Sequence, residues 1–396
     1  MPWIERLTVS LRKELVLKVL AREVTVAEVC REFGVSRKTA YKWIARFRDQ
    51  GLAGLVDESR RPDASPLQVS SETTLDVIEL RRVHPTWGPK KLQALLAKRL
   101  AGDKLPSARS VARILERSSL TVRRRYRPLS KGLSMGAPRL DVSAPNDAWT
   151  VDFKGWWQTE DGARCEPLTI RDAHSRMVLA LQILKHTQTK EVRDVFVELF
   201  TKYGIPRAIL SDNGSPFASV RALGGLTKLS AWWVACGIDV VRSRPGCPQD
   251  NGAHERMHAD VRREIQSKGA STLVQQQAIC DDWRAEFNHV RPHEALGMKT
   301  PAEVYGPTAT VLTTIMTSGF VVNGALAVVV NRGGIAKYED KRVYVSTALA
   351  GYSVGVRRID SARAEVWFFR RLLGEIRMNP LERDISVEAV TRPLVT

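Results

Sequence analysis

Three carboxylates set the chemistry this chain could perform: Asp152 in WTVDF, Asp212 in LSDNGSPF and Glu255 in RPGCPQDNGAHERMH. Each falls where an apolar strand runs out or a helix begins, the edge positions at which a folded core presents bare carboxylates. Mg²⁺ takes oxygen ligands and keeps several waters, so a few acidic side chains and phosphate oxygens complete its octahedron. Acids from three separate elements suit two such ions, about 3.5–4 Å apart, clamping the attacking and leaving oxygens of a phosphodiester displacement. Two Mg²⁺ ions are the expected cofactors, with Mn²⁺ able to substitute, and the chemistry is the cutting and joining of DNA.

The elements that must position these acids read as an α/β core. WTVDFKGWW, EPLTIRD and MVLALQIL read as consecutive strands. TKEVRDVFVELFTKYG reads as a helix with Val192, Val195, Phe196, Leu199, Phe200 and Tyr203 on one face, and PRAILSD and IDVVRSRPG as further strands. Three strands followed by alternating helices and strands imply a mixed sheet. Asp152 then lies in the middle of the first strand, Asp212 at the C-terminal end of the fourth, and Glu255 in the first turn of a helix beginning near Gly252. Ligands of open α/β sheets gather outside strand ends, where Asp212 stands. A charged Asp inside a strand is expensive unless it is paired or bound to metal. A lone Asp in SDNG reads as a turn residue, a reading that weakens for the set of three.

Charge names the partner. The 396 residues suggest two or three domains and carry a formal net charge of +18, spread through the first 130 residues and again toward the C-terminus. That distribution fits a long polyanion rather than one small acidic ligand. The longest apolar run, VVNGALAVVV, is interrupted by Asn323 and Gly324 and falls short of the ~18 residues of a spanning helix, so no membrane partner is expected. The five cysteines are scattered without a C-x-x-C pair, which fits a reducing cytoplasm, and Glu5 and Arg6 stand where an export signal needs an apolar core.

TVAEVCREFGVSRKTAYKWIARF, residues 25–47, reads as helix, tight turn, helix. Thr25 and Glu28 form a capping box, Gly34 ends the first helix and Ser36 caps the second. Cys30 and Ala40 are small where the helices cross, and Val35, Ile44 and Phe47 face inward. Arg37, Lys38, Tyr41 and Lys42 point outward, where the second helix of a helix-turn-helix enters the major groove. An αα-hairpin with a charged face is the plainer alternative. A second helical unit, with Ser107 capping its last helix and Arg109 and Arg113 beyond it, resembles another helix-turn-helix or any small bundle. RRRYRPLSKG, with Arg124 and Arg125, reads as a basic linker able to follow a DNA backbone. After Tyr305, strands with Gly turns suggest a small β-barrel or sandwich, with Arg357, Arg358, Arg370 and Arg371 either on DNA or holding subunits together.

The strings WTVDFKG, LSDNGSPF, SRPGCPQDNGAHERMHADVRRE and FNHVRPHEALGMKTPAEVY, in that order, resemble the integrase-core transposases of bacterial insertion sequences, relatives of retroviral integrases with a ribonuclease H-like fold. The resemblance spans residues 149–305. It implies that residues 148–306 are an α/β catalytic core, and the helix-turn-helix domain (1–62) and second helical DNA-binding domain (68–122) also fit the family; the pattern of the residues adds a basic linker (123–147) and an all-β barrel-like domain (318–396). It implies that Asp152, Asp212 and Glu255 are the D, D and E of a catalytic triad, and that terminal inverted repeats are bound, 3′ ends cleaved and strands transferred by a homo-oligomer, dimer or tetramer, on DNA near the nucleoid. Asp212 and Glu255 lie 43 positions apart, 255 minus 212, more than is typical, with the excess in VRALGGLTKLSAWW. Asp250, Asp260 and Glu264 are local rivals of Glu255, but Glu255 stands at the family's position, four residues after Asn251. Arg262, seven residues past Glu255 and so on the same helix face, is a DNA contact by the resemblance, with a surface ion pair as the alternative. Gln249 and Asn251 are hydrogen-bonding candidates in the preceding loop, and His258 is a candidate beside a phosphate.

Two other functions fit parts of the sequence. His254, Glu255 and His258 spell H-E-x-x-H, a zinc protease signature on a helix, but Arg256 would put a cation beside the metal and no third acidic ligand stands out downstream. A DNA-binding regulator whose core only dimerises is the other, and an intact acidic trio beside a polyanion opposes it.

Overall fold

The computed structural model describes residues 8–22, 24–58, 68–100, 104–121, 140–219, 222–244, 248–307, 324–378 and 381–388. Arg124, Arg125 and Asn323 lie outside them. Two compact units divide the chain, Met1–Ser70 and Ser71–Thr396.

Local signals build the first unit from α1 (Thr8–Leu20), α2 (Val26–Glu32) and α3 (Arg37–Gln50). The expected capping box forms, with Glu28 accepting from the Thr25 backbone and the Thr25 hydroxyl accepting from the Glu28 backbone. Gly34 turns the chain at φ 62°, and Ser36 accepts from Thr39 N at 3.1 Å to start α3. Cys30 and Ala40 are buried with Val29, Trp43, Ile44, Leu15 and Val16, and Val35 and Phe47 pack partly buried against them. The first helix was not expected; its Arg12 guanidinium lies 3.8 Å from the centre of the Trp43 ring and donates to Leu55 O at 2.8 Å.

The second unit opens with three helices, α4 (Ser71–Val83), α5 (Pro89–Arg99) and α6 (Ala108–Arg117), closed over Val77, Leu80, Leu92, Leu96, Val111 and Leu115. Ser107 caps α6 as expected. A mixed sheet follows, from β1 (Ala148–Phe153), β2 (Trp157–Gln158), β3 (Arg164–Asp172), β4 (Val178–Leu184), β5 (Ala208–Ser211) and β6 (Asp239–Arg242). WTVDFKGWW is therefore not one strand: Gly155, at φ 86°, breaks it into β1 and β2. β4, β3 and β1 run antiparallel, while β1, β5 and β6 run parallel.

One sheet face packs against α7 (Thr189–Tyr203) and α8 (Lys228–Ala235) through Trp149, Val151, Phe196, Phe200, Trp232 and Trp233. The other packs against α9 (Gly252–Val261) and α10 (Leu273–His289) through Val178, Leu181, Met257, Val261, Trp283 and Phe287. The short α11 (Pro301–Val304) closes the core. Beyond α9 a π turn, Arg262–Gln266, swings Glu264 into a buried junction. There the Glu264 carboxylate pairs with Arg291 and accepts from Thr86 Oγ1 at 2.7 Å, Trp283 Nε1 at 2.7 Å and Arg263 at 2.9 Å. Burial alone would raise this carboxyl, but Arg291 and the three donors hold it down at about 2. Thr86 brings the α4–α6 bundle to the junction, and His84 reinforces it by reaching Glu286 at 3.1 Å.

The C-terminal strands are β7 (Leu326–Val329), β8 (Ile335–Tyr338), β9 (Lys341–Tyr344), β10 (Ser353–Arg358), β11 (Arg363–Phe368), β12 (Arg371–Arg377) and β13 (Asp384–Ser386). They form two sheets, β12-β11-β10-β7 and β13-β9-β8, rather than the expected barrel. Among the described residues only isolated bridges, Val330 to Ala336 and Glu375 to Glu388, link the two sheets at their margins, and no continuous ladder runs between them. Residues 222–235 dock these sheets on the core. Leu226, Ala231, Val234 and Ala235 share one apolar cluster with Val354, Val366, Leu373 and Ile376, and Arg371 donates to Gly224 O at 3.2 Å. Arg357 and Arg358 are held within the sheets by Glu365 and Glu339, each at 2.6 Å.

Removing one partner of a buried, hydrogen-bonded charge pair costs about 3–5 kcal/mol. Glu264→Gln is expected to lower the urea midpoint of unfolding accordingly at pH 7. A carboxyl held at about 2 against an ordinary 4.5 stabilises fully above pH 4.5 and loses that contribution as pH falls through about 2, so wild type and variant should converge in acid.

Candidate active site

The period-two alternation of β1 sends Trp149 and Val151 to the α7 side and Thr150 and Asp152 to the side of α9. The helical period puts His254 and His258, one turn apart, on the face of α9 that meets them. Both histidines converge on one hydroxyl. Thr169, opposite Asp152 on β3, donates from Oγ1 to Asp152 O at 2.8 Å. Its oxygen can then only accept, from His254 Nε2 at 2.6 Å and His258 Nε2 at 2.8 Å. His254 Nδ1 accepts in turn from Thr150 Oγ1 at 2.8 Å. Both nitrogens of the buried His254 ring are thus engaged, and burial, with His258 and Arg171 next, holds it well below its ordinary value and neutral.

That network answers the zinc reading of H-E-x-x-H. The two imidazoles meet edge to face, 4.7 Å apart, around a threonine, with no nitrogen of His254 left for a metal. His258 is held at about 3, first by burial and then by Lys154, Arg171 and Arg262, so its 3.8 Å approach to Asp152 Oδ2 is not an ion pair. Its Nδ1 faces that oxygen as a second acceptor.

The helix clamped in this way brings the three acids together. Asp152, one quarter exposed, is pushed up to about 7, chiefly by burial, then by the charge of Asp212, opposed by the Phe153 backbone, with Glu255 raising it and Lys154 lowering it by less. Asp212 is exposed just past β5, where Gly214 N donates to its Oδ1 at 3.1 Å. A Cβ at Gly214 would meet Oδ2 at 2.9 Å, so the glycine of SDNG lets the carboxylate sit there. Glu255 is exposed in the first turn of α9. Neither Asp212 nor Glu255 has an ion pair among the described residues.

The rivals are occupied elsewhere: Asp250 is gripped by Arg244 at 2.8 and 3.0 Å, Asp260 by Arg263 and Arg291, and Glu264 by its junction. Arg262 caps the end of α9, exposed and without an ion pair among the described residues, which removes the surface-pair alternative. Sequence reading missed Lys154, which feels both Arg262 and Asp152, and Thr169. Asn251 stands at the start of α9 without capping it, and Gln249 lies in the preceding turn. Arg37, Lys38, Tyr41 and Lys42 are all exposed on α3, and Arg109 and Arg113 on α6.

Residues 142–248 match the Integrase core domain family, and residues 236–301 match a second family of that description. The chain carries integrase-core sequence and is similar to proteins of insertion elements. Ahead of the integrase core, residues 11–63 match a Helix-turn-helix domain family and residues 39–115 a Homeodomain-like domain family. The chain is 26% identical over 285 residues to the uncharacterized 39.2 kDa protein of insertion element IS476 from Xanthomonas euvesicatoria, covering 71% of this chain and 78% of that one. It is 25% identical over 254 residues to the uncharacterized 31.7 kDa protein of insertion element IS407 from Burkholderia multivorans, covering 64% and 87%. Solved structures similar to it include the HTLV-2 integrase catalytic core domain in complex with magnesium, trimeric form, at 15% identity and TM-score 0.33, covering 41% of this chain and 98% of that one. Another is the simian T-cell lymphotropic virus intasome in complex with PP2A regulatory subunit B56 gamma, at 15% identity and TM-score 0.36, covering 75% and 97%.

The integrase core offers a divalent cation oxygen donors of the right kind, and a cation would relieve the repulsion that lifts Asp152. Among the described residues no group of three or more His, Cys, Asp or Glu is arranged to hold a metal ion. Because Asp152 is raised from 3.8 to about 7, the stability it contributes is complete below pH 3.8 and lost as pH rises through about 7. Asp152→Asn should therefore stabilise the metal-free protein at pH 8, by about 1–3 kcal/mol after discounting for solvent. Wild-type affinity for Mg²⁺ should rise from pH 6 to 8; calorimetry at the two pH values, with melting curves of both proteins, checks both outcomes.

Proposed function

We propose that this integrase-core protein is a transposase that binds the terminal inverted repeats of its own element, cleaves their 3′ ends and joins them to target DNA. The observation that carries this reading is the crowding of Asp152, Asp212 and Glu255 on three separate elements, with no cation of the protein pairing Asp212 or Glu255 among the described residues. Two divalent cations, Mg²⁺ or Mn²⁺, would be held by these three carboxylates and, when bound, supply a lowered pKa to the attacking hydroxyl and charge neutralisation at the phosphate.

The chain's own residues do the rest. Thr169, His254 and Thr150 fix the height of α9 over β1 and so the spacing of Glu255 from Asp152. Lys154 and Arg262, beside the acids, hold the scissile strand by its phosphates. Arg37, Lys38, Tyr41 and Lys42 read the element end in the major groove, with Arg109 and Arg113 on a second stretch of backbone. Two ends must meet for joining, so a homo-oligomer assembles on DNA.

A gel assay on labelled DNA from the flanks of the gene, with Mg²⁺ or Mn²⁺, tests the activity. Wild type should nick and join, and Glu255→Gln should bind but do neither; binding without cutting by wild type would favour a regulator. Exchanging both Arg37 and Lys38 for Ala should weaken binding to those ends by about 1–3 kcal/mol for each base edge that the helix no longer reads, measured by fluorescence anisotropy, with the unfolding of the second unit unchanged. Equal affinity would remove α3 from the end-binding surface.

A further inference from the structure

A group of basic side chains beside α9 has been given no ligand in the site above. Arg171 on β3 is 4% exposed, and its Nε has no hydrogen-bond partner. His293, after α10, is 9% exposed, and its Nε2 is likewise unpartnered. Arg176 in the β3–β4 turn, Arg256 in the first turns of α9 and Lys91 on α5 complete the group. His293 feels Lys91, Arg291, Arg176 and Arg171; Arg176 feels Arg256. Burial first, and these neighbours next, hold His293 at about 3, while burial and then Arg291 bring Lys91 down to about 8.

The charges do not balance. Asp260 and Glu264 are committed to Arg291 and Arg263. Asp172, the remaining acid near Arg171, spends its oxygens on Asn146 N, Ser175 N and Ser175 Oγ at 2.6–2.8 Å. Among the described residues the side chains of Arg171, Arg176, Arg256 and Lys91 have neither an ion pair nor a hydrogen bond. Arg171 is buried and Arg176 and Lys91 are half-buried, and cations in that state are costly unless an anion joins them. The amino end of α9 adds its own positive field at Arg256.

We propose that Arg171, Arg176, Arg256, Lys91 and His293 form a phosphate-binding site at the seam between the α4–α6 bundle and the integrase core, flanking the carboxylate cluster. Arg171 and His293 are its floor, and the more exposed Arg176 and Arg256 are its rim. The phosphate belongs to a DNA backbone lying across α9 or is free in solution; the DNA source rests on the proposed function, whereas binding of free phosphate does not.

The test uses the full chain and Arg176→Gln/Arg256→Gln, whose rim positions leave the core untouched; the single Arg256→Gln substitutes if the pair folds poorly. Thermal melting is followed in inorganic phosphate against chloride at equal ionic strength, and duplex affinity is followed against salt. Phosphate should raise the wild-type midpoint by about 2–4 °C, with the rise lost in the variant. If the slope of log affinity against log salt also falls by about 1–2, the phosphate is that of DNA; an unchanged slope assigns the site to free phosphate. A change in slope alone also supports the DNA source. Wild type and variant responding alike to phosphate and sharing one salt slope would overturn the proposal.

Discussion

Three like charges have to be held close together at the end of a sheet, and the rest of the integrase core is arranged to bear that repulsion. Asp152 shows the strain in its raised pKa, with Asp212 and Glu255 contributing after burial. Nothing within the trio draws its members together, so the geometry must come from the elements that carry them. β1 and β5 are fixed by parallel pairing, which sets Asp152 and Asp212 as near neighbours at adjacent strand ends. Glu255 rides on α9, which no sheet hydrogen bond fixes.

Two polar junctions hold α9 instead. Near its start, one threonine hydroxyl gathers His254, His258 and the backbone of Asp152. Past its end, the π turn delivers Glu264 to Arg291, Trp283 and Thr86. The first junction sets the helix against the strand bearing Asp152, and the second ties it to the α4–α6 bundle. A polar network buried this deeply is stabilising only when every member is satisfied. In the first junction the Thr169 hydroxyl and both nitrogens of His254 are satisfied around neutral imidazoles. In the second the Glu264 carboxylate is satisfied and stays charged, while Arg291 Nε has no partner.

What was legible in the sequence was what is local. Thr25, Glu28, Gly34 and Ser36 act over three or four residues, so their spacing alone placed the helix-turn-helix. Asp152, Asp212 and Glu255 stood out as candidates because each is an acid within or at the edge of an apolar or helical pattern. Long-range partners were not. Thr169 meets His254 across 85 positions and Thr86 meets Glu264 across 178, and no periodicity announces either. The same holds for the long interval before Glu255: its length was visible in sequence, but the contact of Leu226, Ala231 and Val234 with the C-terminal sheets was not. The barrel expectation failed for a related reason, since strand count is visible in sequence but closure depends on pairing between the margins of two sheets. Gly155 was readable as a glycine, but not as the break between β1 and β2.

The most direct test of the central claim is to locate the cations. Crystals of the full chain with a DNA end and Mn²⁺ should give two anomalous-scattering peaks about 3.5–4 Å apart, bracketed by Asp152, Asp212 and Glu255, with none at His254. Full occupancy of the DNA with no peak at the three carboxylates, or a single peak between His254 and His258, would contradict the account.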